Sequence, residues 1–235
     1  MALTPEQRAK KDALITPEQR QQMEANKLQF LEIVRTIQRP GIDNLINWLV
    51  TETDFFVAPA STKYHLHEDG GLCLHSLHVY SALCAKKAQG LINLSDDSIA
   101  LTALFHDLCK ANFYEEYQKW RKDANNKWED YYPWGVRETG ERKIFGHGEA
   151  SVFMLMRYVY LSDEEIAMIR FHMGPEQVSA GVDGFSYAAA HYPSVCALHT
   201  ADLEAAYIYE HELNHEERLA LGMADAPSDD PDMGM

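Results

Sequence analysis

Apolar residues recur at three- and four-residue intervals over 28–37 and, beyond Pro40-Gly41, over 42–50, the spacing that turns one helix face toward a core. The same period returns over 75–88, 96–110, 148–161, 163–171 and 192–213, so most of the chain is expected to be helical. Upstream, "LTPEQR" (3–8) and "ITPEQR" (15–20) each set Thr before Pro and Glu-Gln. That order combines an N-cap, a proline at the first helical position and a capping box, and predicts two helix starts. One segment breaks the helical period. From 117 to 136, aromatic and charged residues alternate on both sides of the turn-prone pair Asn125-Asn126, which predicts a β-hairpin inserted between helices. "GVDGFSY" (181–187) reads as an Asp-Gly turn, too short for a calcium loop. The acidic, apolar-poor residues 223–235 are expected to be a disordered tail. The resulting plan is all-α with one small β-hairpin. Helices within 1–54 pack on a core domain at 55–222, the hairpin lies near 117–136, and the tail follows.

Charge narrows the partners. With 36 acidic against 21 basic residues the formal net charge is −15, a field that repels nucleic acid and anionic membranes. A phosphate-bearing ligand therefore needs a local positive site. Residues 118–143 offer one, with seven basic side chains against five acidic. They also carry Trp120, Trp128, Tyr131, Tyr132 and Trp134, rings able to stack on a nucleobase or to pack on the helices. Their place between candidate ligand segments suggests a wall of the site. Cys73, Cys84, Cys109 and Cys196 form no C-x-x-C pair, a reduced, cytoplasmic pattern. No apolar run approaches the ~18 residues of a membrane span, so no membrane partner is expected.

The candidate chemistry lies in histidines set within apolar helical stretches. "FHDLCK" (105–110) puts His106 beside Asp107 in a run that otherwise reads as buried, where an ionised carboxylate is costly without compensation. His75, His147, His172 and Asp202 occupy similar settings. Taken singly, each is more often a hydrogen-bonded core residue than a ligand. Together, imidazoles and carboxylates in this ratio suit first-row divalent ions. The gaps from 107 to 147, 147 to 172 and 172 to 202 are 40, 25 and 30 residues, each long enough for a helix or two to return to a common centre. Six ligands suggest two ions drawn from Mn, Fe, Ni, Zn or Co, with Mg as a further candidate. A structural zinc site would need only four and would normally draw on cysteine.

"GGLCLHSLHVY", then "LFHDLCK", then "HTADLEA" together resemble the HD superfamily of metal-dependent phosphohydrolases, whose pattern is H, HD, D. The resemblance covers roughly residues 55–210. It implies an HD-domain helical bundle in which His75, His106, Asp107 and Asp202 are core metal ligands. It also matches His147 and His172 to the extra histidines of two-metal branches. The Gly-Gly-Leu before His75 is similar to the entry of HD domains in bacterial 3'-to-5' exoribonucleases and favours His75 over His78 as ligand. His78 is then a packing or supporting residue. Lys110 completes His-Asp-x-x-Lys, and in relatives such a lysine faces the substrate phosphate. His65 and His67 are candidate substrate-pocket residues, loop histidines in solvent being the alternative.

The implied activity is hydrolysis of a nucleotide or related small phosphate ester by a metal-activated hydroxide, with Asp107 and Lys110 as the catalytic pair. The chain lacks room for a separate nucleic-acid-binding domain and lacks the GYP signature of cyclic di-GMP phosphodiesterases. Exonuclease action on single-stranded nucleic acid is the alternative enzyme, and a metal-stabilised regulatory protein the alternative class.

Overall fold

The computed structural model describes residues 3–63, 65–123, 125–137, 145–175 and 184–211. The expected tail at 223–235 and the Asp-Gly pair of 183–184 fall wholly or partly outside these residues. Nine α-helices account for most of the described chain: α1 (Pro5–Asp12), α2 (Pro17–Thr36), α3 (Ile42–Glu52), α4 (Gly71–Ala88), α5 (Asp96–Phe105), α6 (His147–Leu155), α7 (Asp163–Arg170), α8 (Gly184–His191) and α9 (Pro193–Glu204). Both TPEQ repeats start helices as their sequence requires. The hydroxyls of Thr4 and Thr16 accept from the amides of Gln7 and Gln19, whose side chains return to the cap amides.

Four expectations need correction, the first being the 148–161 helix, which ends at Leu155. The 96–110 helix ends at Phe105 and is followed by a 3-10 turn at Leu108–Lys110. Among the described residues of the expected 192–213 helix, the α-helix is regular only over α9, continuing as a π-helical turn over Ala205–Tyr209. Of the expected turn at 181–187, residues 181–183 lie outside the described residues, and Gly184–Tyr187 are helical, opening α8, where the Ala188-Ala189-Ala190 run favours helix.

The β insertion is longer than expected. β1 (Tyr114–Glu116) pairs antiparallel with β4 (Trp134–Val136), and β2 (Lys119–Lys122) with β3 (Trp128–Tyr131). Two separate two-stranded ladders thus share one arm. Trp120 and Trp128 lie near its outer end and are about two-thirds exposed (64% and 65%), so they do not pack on the helical core.

A core around Phe30 joins α2 and α3 to the first half of α4, to α5 and to α6. Phe30 stands 5.1 Å from Phe55 and 5.5 Å from both Phe56 and Phe105, ring centroid to ring centroid, the tilted and edge-on contacts that aromatic quadrupoles favour. A second cluster joins the rest of α4 to α7, α8 and α9. Helix α4 crosses both clusters, and His75 lies on its buried side.

The N-terminal helix is tied down by charge. Lys11, buried despite its ammonium, pairs with Asp69 and Glu116, and Arg8 Nη1 lies 2.8 Å from Glu116 Oε2. Trp134 Nε1 donates to Asp69 Oδ1 at 2.9 Å. α1, the loop before α4 and the β arm are thereby locked together. Between them lies a cavity of about 560 Å³, lined by α1–α2 residues, by 67–71 and by Tyr131–Trp134.

Candidate metal centre

His106 closes α5 in helical conformation, and Asp107 then leaves the helix at φ −106° and ψ 20°. That break turns the carboxylate back beside its neighbour, with Asp107 Oδ2 3.4 Å from His106 Nε2. Asp202, on α9, brings Oδ1 to 3.0 Å from His75 Nε2 and 3.7 Å from His106 Nε2. On the other side, Asp107 Oδ1 lies 3.6 Å from His172 Nε2 and 3.8 Å from His147 Nδ1. All six residues singled out in the sequence therefore form one chain of neighbouring donors. An ion bound at 2.0–2.2 Å sets adjacent nitrogen and oxygen ligands roughly 3.0–3.6 Å apart. The observed separations fall in or just beyond that range.

The protonation pattern tests whether a cation fits. His106 Nδ1 lies 2.8 Å from Ala103 O, and His172 Nδ1 2.7 Å from Ile169 O. Carbonyls only accept, so both Nδ1 atoms carry a proton, and each ring in its neutral form presents a lone pair at Nε2. Those two Nε2 atoms and Asp107 Oδ1 are buried and have no hydrogen-bond partner. Three orphaned acceptors in one cluster are costly unless something positive satisfies them, and a divalent cation does so. His75 is bracketed by two carboxylates: Asp202 at Nε2, and Glu210 Oε1 at 3.0 Å from Nδ1. Burial pushes this imidazole's pKa down, but hydrogen bonds to Asp202 and Glu210 outweigh it and raise it to about 9. A positive charge is favoured at His75, on the ring or beside it.

Lys110 is nearly buried, its Nζ 2.6 Å from Asp107 Oδ2. Burial would neutralise both groups, yet their mutual attraction holds Asp107 well below the usual carboxylate range and Lys110 above the usual ammonium range. The lysine is therefore no solvent-exposed helix end; it is a fixed charge at the edge of the ligand cluster.

The two loop histidines separate. The His65 ring lies 4.9 Å from that of His75, tilted by 39°, its Nε2 is 3.9 Å from Glu210 Oε2, and burial lowers its pKa. His67 instead lines the cavity beneath the β arm, which none of the six candidate ligands lines. The arm thus walls a neighbouring cavity.

Two residues had not been singled out as site residues. Glu210 follows the π-helical turn and meets His75 Nδ1 and His78 Nδ1, the latter at 2.9 Å, which gives His78 its supporting place. Nothing in "AYIYEHEL" distinguishes it from neighbouring glutamates. Cys109 Sγ lies 3.6 Å from His147 Nδ1; its only sequence signal was a place two residues after Asp107.

Comparison with protein-family models, with curated proteins and with solved structures yields no match. Among the described residues, no helix is long and apolar enough to cross a membrane.

Proposed function

We propose that this chain is a metal-dependent phosphohydrolase or phosphodiesterase of the HD type, hydrolysing a nucleotide or related small phosphate ester in the cytoplasm. The observation that carries the reading is the convergence of His75, His106, Asp107, His147, His172 and Asp202 around three buried acceptors lacking donors. His75, His106, Asp107 and Asp202 would hold one ion, and Asp107, His147 and His172 a second, with Asp107 shared. Such a pair supplies Lewis acidity and a water that ionises near neutral pH.

The rest falls to the chain's own groups. Lys110 fixes a positive charge where phosphoryl oxygens gain negative charge, and its buried pairing with Asp107 prevents it from swinging away. His65, whose pKa burial lowers, offers substrate a hydrogen-bonding imidazole beside His75. The net charge of −15 favours a small ligand over a nucleic-acid chain. Four cysteines without disulfides accord with a reducing compartment.

The decisive experiment measures bound metal by elemental analysis, then screens the loaded protein against phosphomonoesters, nucleotides, cyclic dinucleotides and oligonucleotides, with and without chelator. Chelator-sensitive turnover of a small ester is expected. A fully loaded protein that turns over none of these would overturn the enzymatic reading and leave a metal-stabilised regulatory protein.

A further inference from the structure

We propose that Cys109 supplies a thiolate ligand to the ion position formed by Asp107, His147 and His172, making that position selective for a sulfur-accepting divalent ion of the zinc, cobalt or iron(II) kind. The inference rests on the metal reading above and adds a ligand to it. Cys109 occupies the middle of the 3-10 turn that begins after Asp107, so one short stretch of backbone delivers both side chains. Its sulfur, its neighbour's carboxylate and the His147 imidazole offer donor atoms all within 4.8 Å of one another, and all but His147 are buried. The second pointer to a ligand is Asp107 Oδ1 itself. This buried, unpartnered oxygen faces both His147 and His172.

The separation of Cys109 and His147 fits two ligands on one ion. With bonds of about 2.3 Å to sulfur and 2.0–2.1 Å to nitrogen, a tetrahedral zinc holds the two donors ~3.6 Å apart. Cys109 Sγ and His147 Nδ1 are separated by 3.6 Å. The frame is rigid as well. The Cys109 amide donates to buried Ser151 Oγ at 3.1 Å, binding the turn to α6, which begins at His147. On coordination the thiol proton passes to solvent and the sulfur lone pair forms the metal bond. Hard ions such as Mg and Mn gain little from sulfur, whereas zinc-like ions gain much, so the thiolate sorts among candidate metals.

The test uses the full chain, stripped with chelator, kept reduced and titrated with Co(II) and with Zn(II). Wild type is expected to bind two equivalents, with a thiolate-to-cobalt charge-transfer band arising with only one of them. In Cys109→Ser and Cys109→Ala the band should vanish and that equivalent should bind at least tenfold more weakly, while the other equivalent stays unchanged. Cys196→Ser, at the exposed cysteine, should keep the band. Two bound ions without the band, or a band that survives in Cys109→Ser, would overturn the thiolate ligand while leaving the two-ion reading intact. Binding of no ion would overturn both. Wild-type spectra alone decide the matter if both Cys109 variants fail to fold.

Discussion

Asp107 is where the chemistry of single residues is most concentrated. One oxygen meets Lys110 and His106, the other His147 and His172, so a single carboxylate spans both halves of the cluster. Asp107→Ala should therefore abolish metal-dependent hydrolysis and strip bound metal, since it removes the ligand proposed to be shared. Lys110→Ala should behave differently. Metal content should stay near normal while turnover falls roughly 10²-fold or more, the scale of losing one electrostatic stabiliser of a transition state. Elemental analysis beside kinetics on the same preparations separates the two. Full activity in Lys110→Ala would return that lysine to a structural role, and unchanged turnover in metal-free Asp107→Ala would falsify the metal mechanism.

Between elements, two contacts set the frame that holds the ligands. At Gly148 an added Cβ would lie 2.2 Å from Arg170 O, backbone that cannot swing aside. Here α6 packs against the end of α7, with His147 on one side and His172 two residues past Arg170. Gly148→Ala should cost roughly 1–3 kcal/mol by overpacking. It should also weaken metal binding, because the two histidines move apart; urea melts and metal titration together check this.

The second contact is a two-pronged ion pair from Arg39, between α2 and α3, to buried Glu165 in the first turn of α7. Glu165 also accepts from the Ser162 amide at 2.8 Å in a capping box. Burial alone would raise its pKa, but the Arg39 hydrogen bond and those of its cap hold it below its ordinary value. A carboxylate with a depressed folded pKa stabilises the fold above its unfolded value of about 4.3, and loses that contribution as pH falls through the folded value. Stability should thus decline below roughly pH 4–5 in wild type, and less steeply there in Glu165→Gln. Equal slopes for the two proteins would sink the assignment. Glu165→Ala, leaving Arg39 only its bonds to Tyr160 O and Ser98 Oγ, should cost roughly 1–3 kcal/mol at neutral pH.

At the scale of the molecule, the candidate centre draws ligands from α4, the end of α5, α6, the segment after α7 and α9. An ion bound there, as proposed, would tie both core clusters together and would bind only the folded chain. Binding at 1,000 times Kd adds about 4 kcal/mol, and in a domain of this size each kcal/mol moves Tm by ~2–4 °C. Chelation should accordingly lower Tm by roughly 8–16 °C. Re-addition of Zn or Co should restore it. Calorimetry with and without chelator makes the comparison, and an unchanged Tm would remove the ion from the fold's stability.

Features encoded within a few residues were legible along the chain. Both capping boxes involve partners three residues apart, and the β arm announced itself by alternation around Asn125-Asn126. The six candidate ligands were legible too, because a histidine or carboxylate inside an apolar helical run conflicts with burial unless it has a partner. Long-range pairing was not. The contact from Cys109 to His147 spans 38 residues, that from His75 to Glu210 135, and that from Lys11 to Asp69 58, and no local pattern distinguishes those partners. Helix ends inside apolar runs were hidden as well, since periodicity continues through the break after Phe105 and through the π-helical turn after α9. The sequence by itself determined the two capped helix starts, the presence of a β insertion and the kinds of donor available. Tertiary packing decided which donors meet, because close approach of distant segments depends on the whole set of buried contacts and on no single stretch of chain.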